Sequence, residues 1–109
     1  MATAYKVLGQ SAPAATTDTN VYTVPAATEA VISTIIIANR AATAGAFRLA
    51  VRPNGATIAN EHYIAYDVPI EANDSTTLTL GITMDAADII TAYCSSADIS
   101  VNVFGSEIS

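Results

Sequence analysis

The sequence has few positive charges, and this scarcity argues against two classes of partner. Four of its 109 residues are lysine or arginine and ten are aspartate or glutamate, for a formal net charge of −6. Proteins that bind nucleic acid carry a basic patch that neutralises phosphates, and an anionic membrane surface attracts the same kind of patch. We therefore expect neither nucleic acid nor a membrane among the partners.

Cysteine and histidine occur once each, as Cys94 and His62. One cysteine forms no intramolecular disulfide, and one cysteine with one histidine provides too few ligands for a zinc site. His62 lies in the sequence NEHY at 60–63, without a nucleophile and a carboxylate in a recognisable catalytic setting. The sequence predicts no enzyme, no catalytic residue, no cofactor and no metal site, with Cys94 as buried apolar filler.

Long apolar runs are also missing. The longest, at 34–38, is far shorter than the ~20 residues of a membrane-spanning helix. Residues 1–10 contain one lysine and no apolar core of the length that a secretory signal has. The expectation is a protein synthesised in a cytoplasm and not exported by the usual route.

What the sequence does contain is a dense pattern of β-branched residues interrupted by turn signals every 8–14 residues. This pattern predicts one all-β domain spanning 1–109. About eight strands are expected, at 4–8, 21–24, 30–39, 46–52, 57–68, 76–84, 89–94 and 99–104, with a break in the fifth near Asn60. Proline is expected to end two of them, at Pro25 and Pro69. The run at 30–39 is apolar at both parities, which predicts a central strand covered on both faces.

The architecture that fits these strands best is a single antiparallel β-sandwich, either immunoglobulin-like or jelly-roll-like, with a small barrel as the alternative. An immunoglobulin relation would be architectural only, because the sequence has no tryptophan and one cysteine. Charged residues make up only 13% of the chain, against about 25% in a typical soluble domain. This composition predicts a surface that is covered by another chain; the alternative is a neutral surface of Ala, Thr and Ser without a partner.

Four residues are candidates for that interface: Arg48, Arg52, Tyr63 and Tyr66. Alternation in the run 46–52 predicts that both arginines project from one sheet face, where they pair with an acidic neighbour or simply keep the face solvated. Tyr63 and Tyr66 are an odd number of residues apart, so a regular strand would place them on opposite faces. This spacing argues against one sugar-binding platform made of both rings.

The acidic residues Asp74, Asp85 and Asp88 fall at predicted turns, where such side chains usually cap their own backbone rather than bind calcium. The tripeptide at 73–75 matches a glycosylation sequon, which has little meaning without a secretory signal. The segment at 10–20 is a further candidate contact.

Several short segments resemble small virion proteins of tailed phages, particularly those that infect cyanobacteria and marine bacteria. They are YKVLGQ at 5–10, VYTVPA at 21–26, AVRP at 50–53, ANEHYIAYD at 59–67 and FGSEI at 104–108. The resemblance implies a structural component of the virion. The first expectation is a capsid decoration (cement) protein that docks on the head and stabilises it, and the alternative is a tail- or fibre-associated adhesion or receptor-binding module. Its implied partners are phage capsid or tail proteins and further copies of itself, with a trimer suited to quasi-threefold sites.

Overall fold

The computed structural model describes residues 2–109 as eight β-strands and two short 3-10 turns, which confirms the predicted all-β fold. The strands are β1 (Thr3–Ser11), β2 (Thr19–Thr23), β3 (Glu29–Asn39), β4 (Gly45–Arg52), β5 (Tyr63–Ile70), β6 (Ser75–Met84), β7 (Ile89–Cys94) and β8 (Ile99–Ile108). The 3-10 turns, Pro53–Gly55 and Asn60–His62, both lie between β4 and β5.

The strands form two four-stranded antiparallel sheets, in the order β1-β8-β3-β6 (sheet A) and β2-β7-β4-β5 (sheet B). Strand one pairs with strand eight, two with seven, three with six and four with five. This nested pairing is the one produced when a long antiparallel ribbon rolls up on itself. Of the two sandwich types expected, the strand order is that of a jelly roll.

The core lies between the inner faces of the two sheets, because strand side chains alternate between faces. Sheet A contributes apolar side chains from β3 and β8, and sheet B contributes them from β4 and β7. Fully buried members include Ile32, Ile35, Ile37, Val101, Val103, Phe47, Leu49, Ile90 and Ala92. At roughly 25 cal/mol per Å², burial of these side chains is the main stabilising term.

The prediction that β3 is covered on both faces is wrong. Ile32, Ile35 and Ile37 are fully buried, whereas Thr34 and Ile36 on the other face are only partly covered. A register shift between Ile32 and Thr34, seen against both β6 and β8, inserts an extra residue and changes the parity of the strand. Before Ser33 the even-numbered residues of β3 face the core, and after it the odd-numbered residues do. This switch explains why apolar residues occur at both even and odd positions although only one face is buried.

In the predicted strand at 57–68, the expected break near Asn60 is confirmed, but the strand begins later than predicted. Residues 57–59 are irregular, the turn Asn60–His62 follows, and β5 begins at Tyr63. Pro69 does not end this strand but lies within it, paired with Ala46. The proline is tolerated because β5 is an edge strand that pairs only with β4. On its other side there is no strand that would need a hydrogen bond from the missing N–H.

Candidate functional site

Arg48 is the centre of a cluster on the outer face of sheet B. Phe47 and Leu49 point into the core, so alternation along β4 directs Arg48 outward. Its guanidinium carbon lies 4.2 Å from the centroid of the Tyr66 ring and 4.3 Å from that of Tyr93. Tyr93 is its direct cross-strand neighbour on β7. Arg48 is thus held between two aromatic faces by cation–π contacts.

Asp67 fixes the guanidinium in this position. The Arg48 Nε donates to Oδ1 of Asp67 at 2.7 Å, and Nη2 donates to Oδ2 at 3.4 Å. This fork-like pairing raises the pKa of Arg48, so the group keeps its charge at any accessible pH. Among the contacts within residues 2–109, Asp67 is its only hydrogen-bond partner, so the Nη1 edge remains available to an external acceptor.

Tyr63 and Tyr66 lie on the same face, contrary to the prediction from their spacing. Their ring centroids are 4.9 Å apart and the rings meet edge to face at 86°. The reason is that β5 has two register shifts against β4. Leu49 pairs with Ala65 and Ala50 with Tyr63, so Ile64 is an extra residue that moves Tyr63 to the outer face. In the other shift Phe47 pairs with Val68, so two residues, Tyr66 and Asp67, lie opposite Arg48. Asp67, one of the two, has a φ of 51°, a left-handed conformation that aspartate tolerates better than most residues.

We call Arg48, Tyr63, Tyr66, Asp67 and Tyr93 the arginine–tyrosine cluster. Tyr66 is 56% exposed, so one aromatic ring of the cluster is open to solvent. An accessible ring beside oriented hydrogen-bonding groups is the chemistry that stacks on a flat ligand while fixing its polar edge. Because β5 is irregular, Tyr63 and Tyr66 share one face, and the prediction against a platform made of both rings is wrong.

Arg52 shares the outward direction of Arg48 but has different partners. Its Nε donates to the carbonyl oxygen of Ala56 at 2.9 Å, and its Nη1 donates to Oδ1 of Asn20 at 3.2 Å. Asn20 also accepts from the hydroxyl of Thr91 at 3.1 Å. Arg52 thus ties the turn after β4 to strands β2 and β7, and it is less available to a partner than Arg48.

The outer face of sheet A is largely uncharged, unlike the outer face of sheet B with its two arginines. Its side chains are Ser, Thr, Asn, Val, Ile and aromatic groups, and the acidic residues of the chain lie at its ends or elsewhere. Lys6 borders the face, but its ammonium turns to Glu107 at 2.6 Å. We call this surface the neutral face; it includes Tyr5, Val7, Val31, Thr34, Ile36, Phe104, Ser106, Thr77 and Thr79.

The neutral face leaves large apolar side chains in water. Tyr5 is 86% exposed and Val7 is 46% exposed. Together with Val31 and Phe104 they line a shallow open groove across β1, β8 and β3. Exposed apolar patches of this kind on small soluble proteins commonly mark a surface that another molecule covers.

The other residues singled out in the sequence have local structural roles. His62 accepts the Ala59 N–H at its Nδ1, at 3.0 Å, and so closes the turn before β5. Asp88 accepts the backbone N–H groups of Asn54 and Asp85, and Asp74 accepts that of Ser75, as expected for capping at turns. Burial raises the pKa of the Cys94 thiol to about 11.

Neither a metal site nor a membrane helix is found in the described part of the chain. Among residues 2–109, no three His, Cys, Asp or Glu side chains come together as a metal would require. No helix within 2–109 has the length and apolar character needed to cross a bilayer. The segment at 10–20 is partly ordered into β1 and β2, and the Thr16 N–H donates to the Cys94 carbonyl at 2.8 Å.

Comparisons with known proteins place no relative beside this chain: no family model, no curated protein and no solved structure matches it.

Proposed function

We propose that this chain is a structural protein of a tailed-phage virion, a capsid decoration protein that docks on the head and stabilises it. The observation that carries the proposal is the neutral face: a four-stranded surface with exposed Tyr5 and Val7, on a chain whose net charge is −6. A partner surface with few charges can cover this face without leaving a buried charge unpaired. The short segments that resemble virion proteins support a capsid protein as that partner.

The jelly-roll order of the strands supports the same proposal, because viral capsid domains are among the proteins that use this architecture. Lectin domains and cupins use it as well, so the fold alone does not decide the function. In this proposal the protein acts by shape and burial and performs no reaction. It is made in the host cytoplasm and ends in the virion, bound to capsid subunits.

The test is co-sedimentation of the purified protein with expanded empty capsids of the phage that encodes it. Saturable binding with a stoichiometry that matches the capsid lattice supports decoration. Failure to bind any capsid, by a folded protein at concentrations well above those in an infected cell, rejects it.

The second candidate is a tail- or fibre-associated adhesion module, and the arginine–tyrosine cluster is the observation that favours it. The exposed Tyr66 ring, with the oriented guanidinium of Arg48 beside it, suits a saccharide that stacks on one group and hydrogen-bonds to the other. The experiment is binding of the isolated protein to immobilised glycans and host cells. Tyr66→Ala should abolish binding, and Tyr5→Ala, which removes a more exposed ring on the other sheet, should preserve it.

A further inference from the structure

The four edge strands of the sandwich differ in how they are protected against pairing with another chain. The edges are β1 and β6 in sheet A, and β2 and β5 in sheet B. Each edge presents a row of backbone N–H and C=O groups that a further strand could pair with. Natural proteins block such rows with charges, prolines, bulges or very short strands.

Three of the four edges carry such devices. Strand β5 has a bulge, Asp67 and Pro69. Strand β2 has only five residues, and a register shift after Asn20 divides it. Strand β1 has Lys6 in its regular part, Thr3 to Val7, and a register shift follows.

Strand β6 is the exception. It runs for ten residues, STTLTLGITM, without a charged residue or a proline. Its one irregularity lies at Leu80 and Gly81, opposite Ser33, so the stretch from Ser75 to Thr79 pairs regularly with β3. This stretch is therefore an exposed, regular and uncharged edge.

We propose that β6 is a self-association edge, which pairs antiparallel with β6 of a second copy across a twofold axis. Antiparallel pairing places residues of the same face opposite each other, so the exposed Thr77 and Thr79 row meets the same row of its mate. Cross-strand threonine pairs stabilise such contacts. On the inner side, Leu78 and Leu80 are only partly buried in one copy, and the mate's leucines would complete their cover.

A second copy fits this edge because antiparallel pairing about a twofold axis is self-complementary, and the charge distribution leaves β6 as an uncharged place for it. Two copies, each with a net charge of −6, repel one another over most of their surfaces. The β6 edge carries no charge, so copies meet there with the least repulsion. Association should accordingly strengthen as salt screens the remaining charges. The two neutral faces would then join into one surface of eight strands.

This inference is independent of the proposed function, since it is tested on the purified protein without capsids. The measurement is the weight-average mass by light scattering and sedimentation, up to about 1 mM, because a small interface of this kind is expected to be weak. The mass should approach twice 11.2 kDa as concentration and salt rise. Backbone amides of β6 should gain hydrogen-exchange protection over the same range.

Two matched variants locate the contact. Thr77→Lys places a charge on the β6 edge and should leave a monomer at every concentration. Thr23→Lys places the same charge at an exposed position on the β2 edge and should leave association unchanged. A wild-type protein that stays monomeric to 1 mM would overturn the inference, as would a dimer that survives Thr77→Lys. A closed trimer, the state that the virion resemblance suggests, would overturn it as well.

Discussion

The outer faces of the two sheets show how one fold presents two different chemistries. Sheet A and sheet B each have four strands and share one core, yet sheet A exposes hydroxyl, amide and apolar groups while sheet B exposes an arginine stacked between tyrosines. The inner faces are alike because both must bury apolar groups. The outer faces are free to differ, so functional differences between the sheets are expected there.

The sequence basis of the contrast lies in the alternate positions of each strand. In β6 every second residue from Ser75 to Thr83 is Ser, Thr or Gly, whereas in β4 the outward positions include Arg48 and Arg52. Both strands present Leu or Phe at their inward positions, which keeps the core continuous. We therefore propose docking at the neutral face and oriented recognition at the arginine–tyrosine cluster.

The largest effect is expected from adding one methyl group to sheet A. At Gly105 in β8 a Cβ would overlap the carbonyl of Val31, whereas at Gly81 in β6 it would meet open space. Gly105→Ala should cost about 3 kcal/mol of unfolding free energy, or roughly 15 °C in Tm, because the backbone must shift. Gly81→Ala is the matched control and should change Tm little. Equal Tm values for the two variants in thermal unfolding would contradict this packing of β8 against β3.

A smaller effect is expected in sheet B from Arg48→Lys. Lysine keeps the positive charge but loses the planar fork that pairs with Asp67 and stacks between Tyr66 and Tyr93. Tm should fall by less than for Gly105→Ala, and the near-ultraviolet circular dichroism of the tyrosines should weaken. Arg48→Ala should produce the same spectral change, since both variants remove the stack. An unchanged spectrum in either variant would mean that the stack is not formed in solution.

A pH-dependent effect is expected where sheet A meets sheet B, at Glu107. This carboxylate accepts from Lys6 and from the Tyr22 hydroxyl, each at 2.6 Å, and these contacts lower its pKa below the ordinary value of 4.5. Because the pKa of Glu107 is lower in the folded than in the unfolded protein, its contacts stabilise the fold fully above about pH 4.5. This stabilisation is lost as the pH falls through the pKa of Glu107 in the folded protein.

Glu107→Gln should therefore lower Tm at pH 7 and flatten the decline of Tm with pH below 4.5. Thermal unfolding of both proteins between pH 2.5 and 7, with steps of about half a unit, provides the comparison. Parallel curves for the wild type and Glu107→Gln would show that the contacts of Glu107 do not stabilise the folded state.

The smallest effect is expected at Cys94, which is fully buried between the sheets. Its thiol, with a pKa near 11, should not react with a thiol reagent at pH 8 in the folded protein, and should react at once in denaturant. Labelling followed by mass measurement gives the rate. Fast labelling without denaturant would indicate that the sheets separate at this position in solution.

The fold was predictable from the sequence because strand periodicity and turn residues are local signals. Clean alternation at 76–84 and 99–104 matches one-sided burial in β6 and β8. The site was less predictable, because a register shift at Ile64 brings Tyr63 and Tyr66 to one face, and this shift depends on how β5 pairs with β4. The one available signal was Asp67, an aspartate inside a strand that can adopt positive φ, and it marks the neighbouring shift opposite Arg48.

Local sequence patterns also did not distinguish an immunoglobulin-like sandwich from a jelly roll. The distinction depends on which strands pair across long separations, such as β1 with β8. Many pairings of eight short strands satisfy the same alternation, so strand order follows from the packing of the whole chain.

We propose that the neutral face of sheet A is the surface that docks on the capsid. Val7 on β1 and Ile64 on β5 are each 46% exposed, so they form a matched pair on the two sheets. The most direct measurement is co-sedimentation of Val7→Lys and Ile64→Lys with expanded capsids, after both are shown to be folded. Val7→Lys is expected to lose capsid binding, and Ile64→Lys is expected to bind like the wild type. Capsid binding that survives Val7→Lys, or that is lost in Ile64→Lys alone, would contradict this proposal.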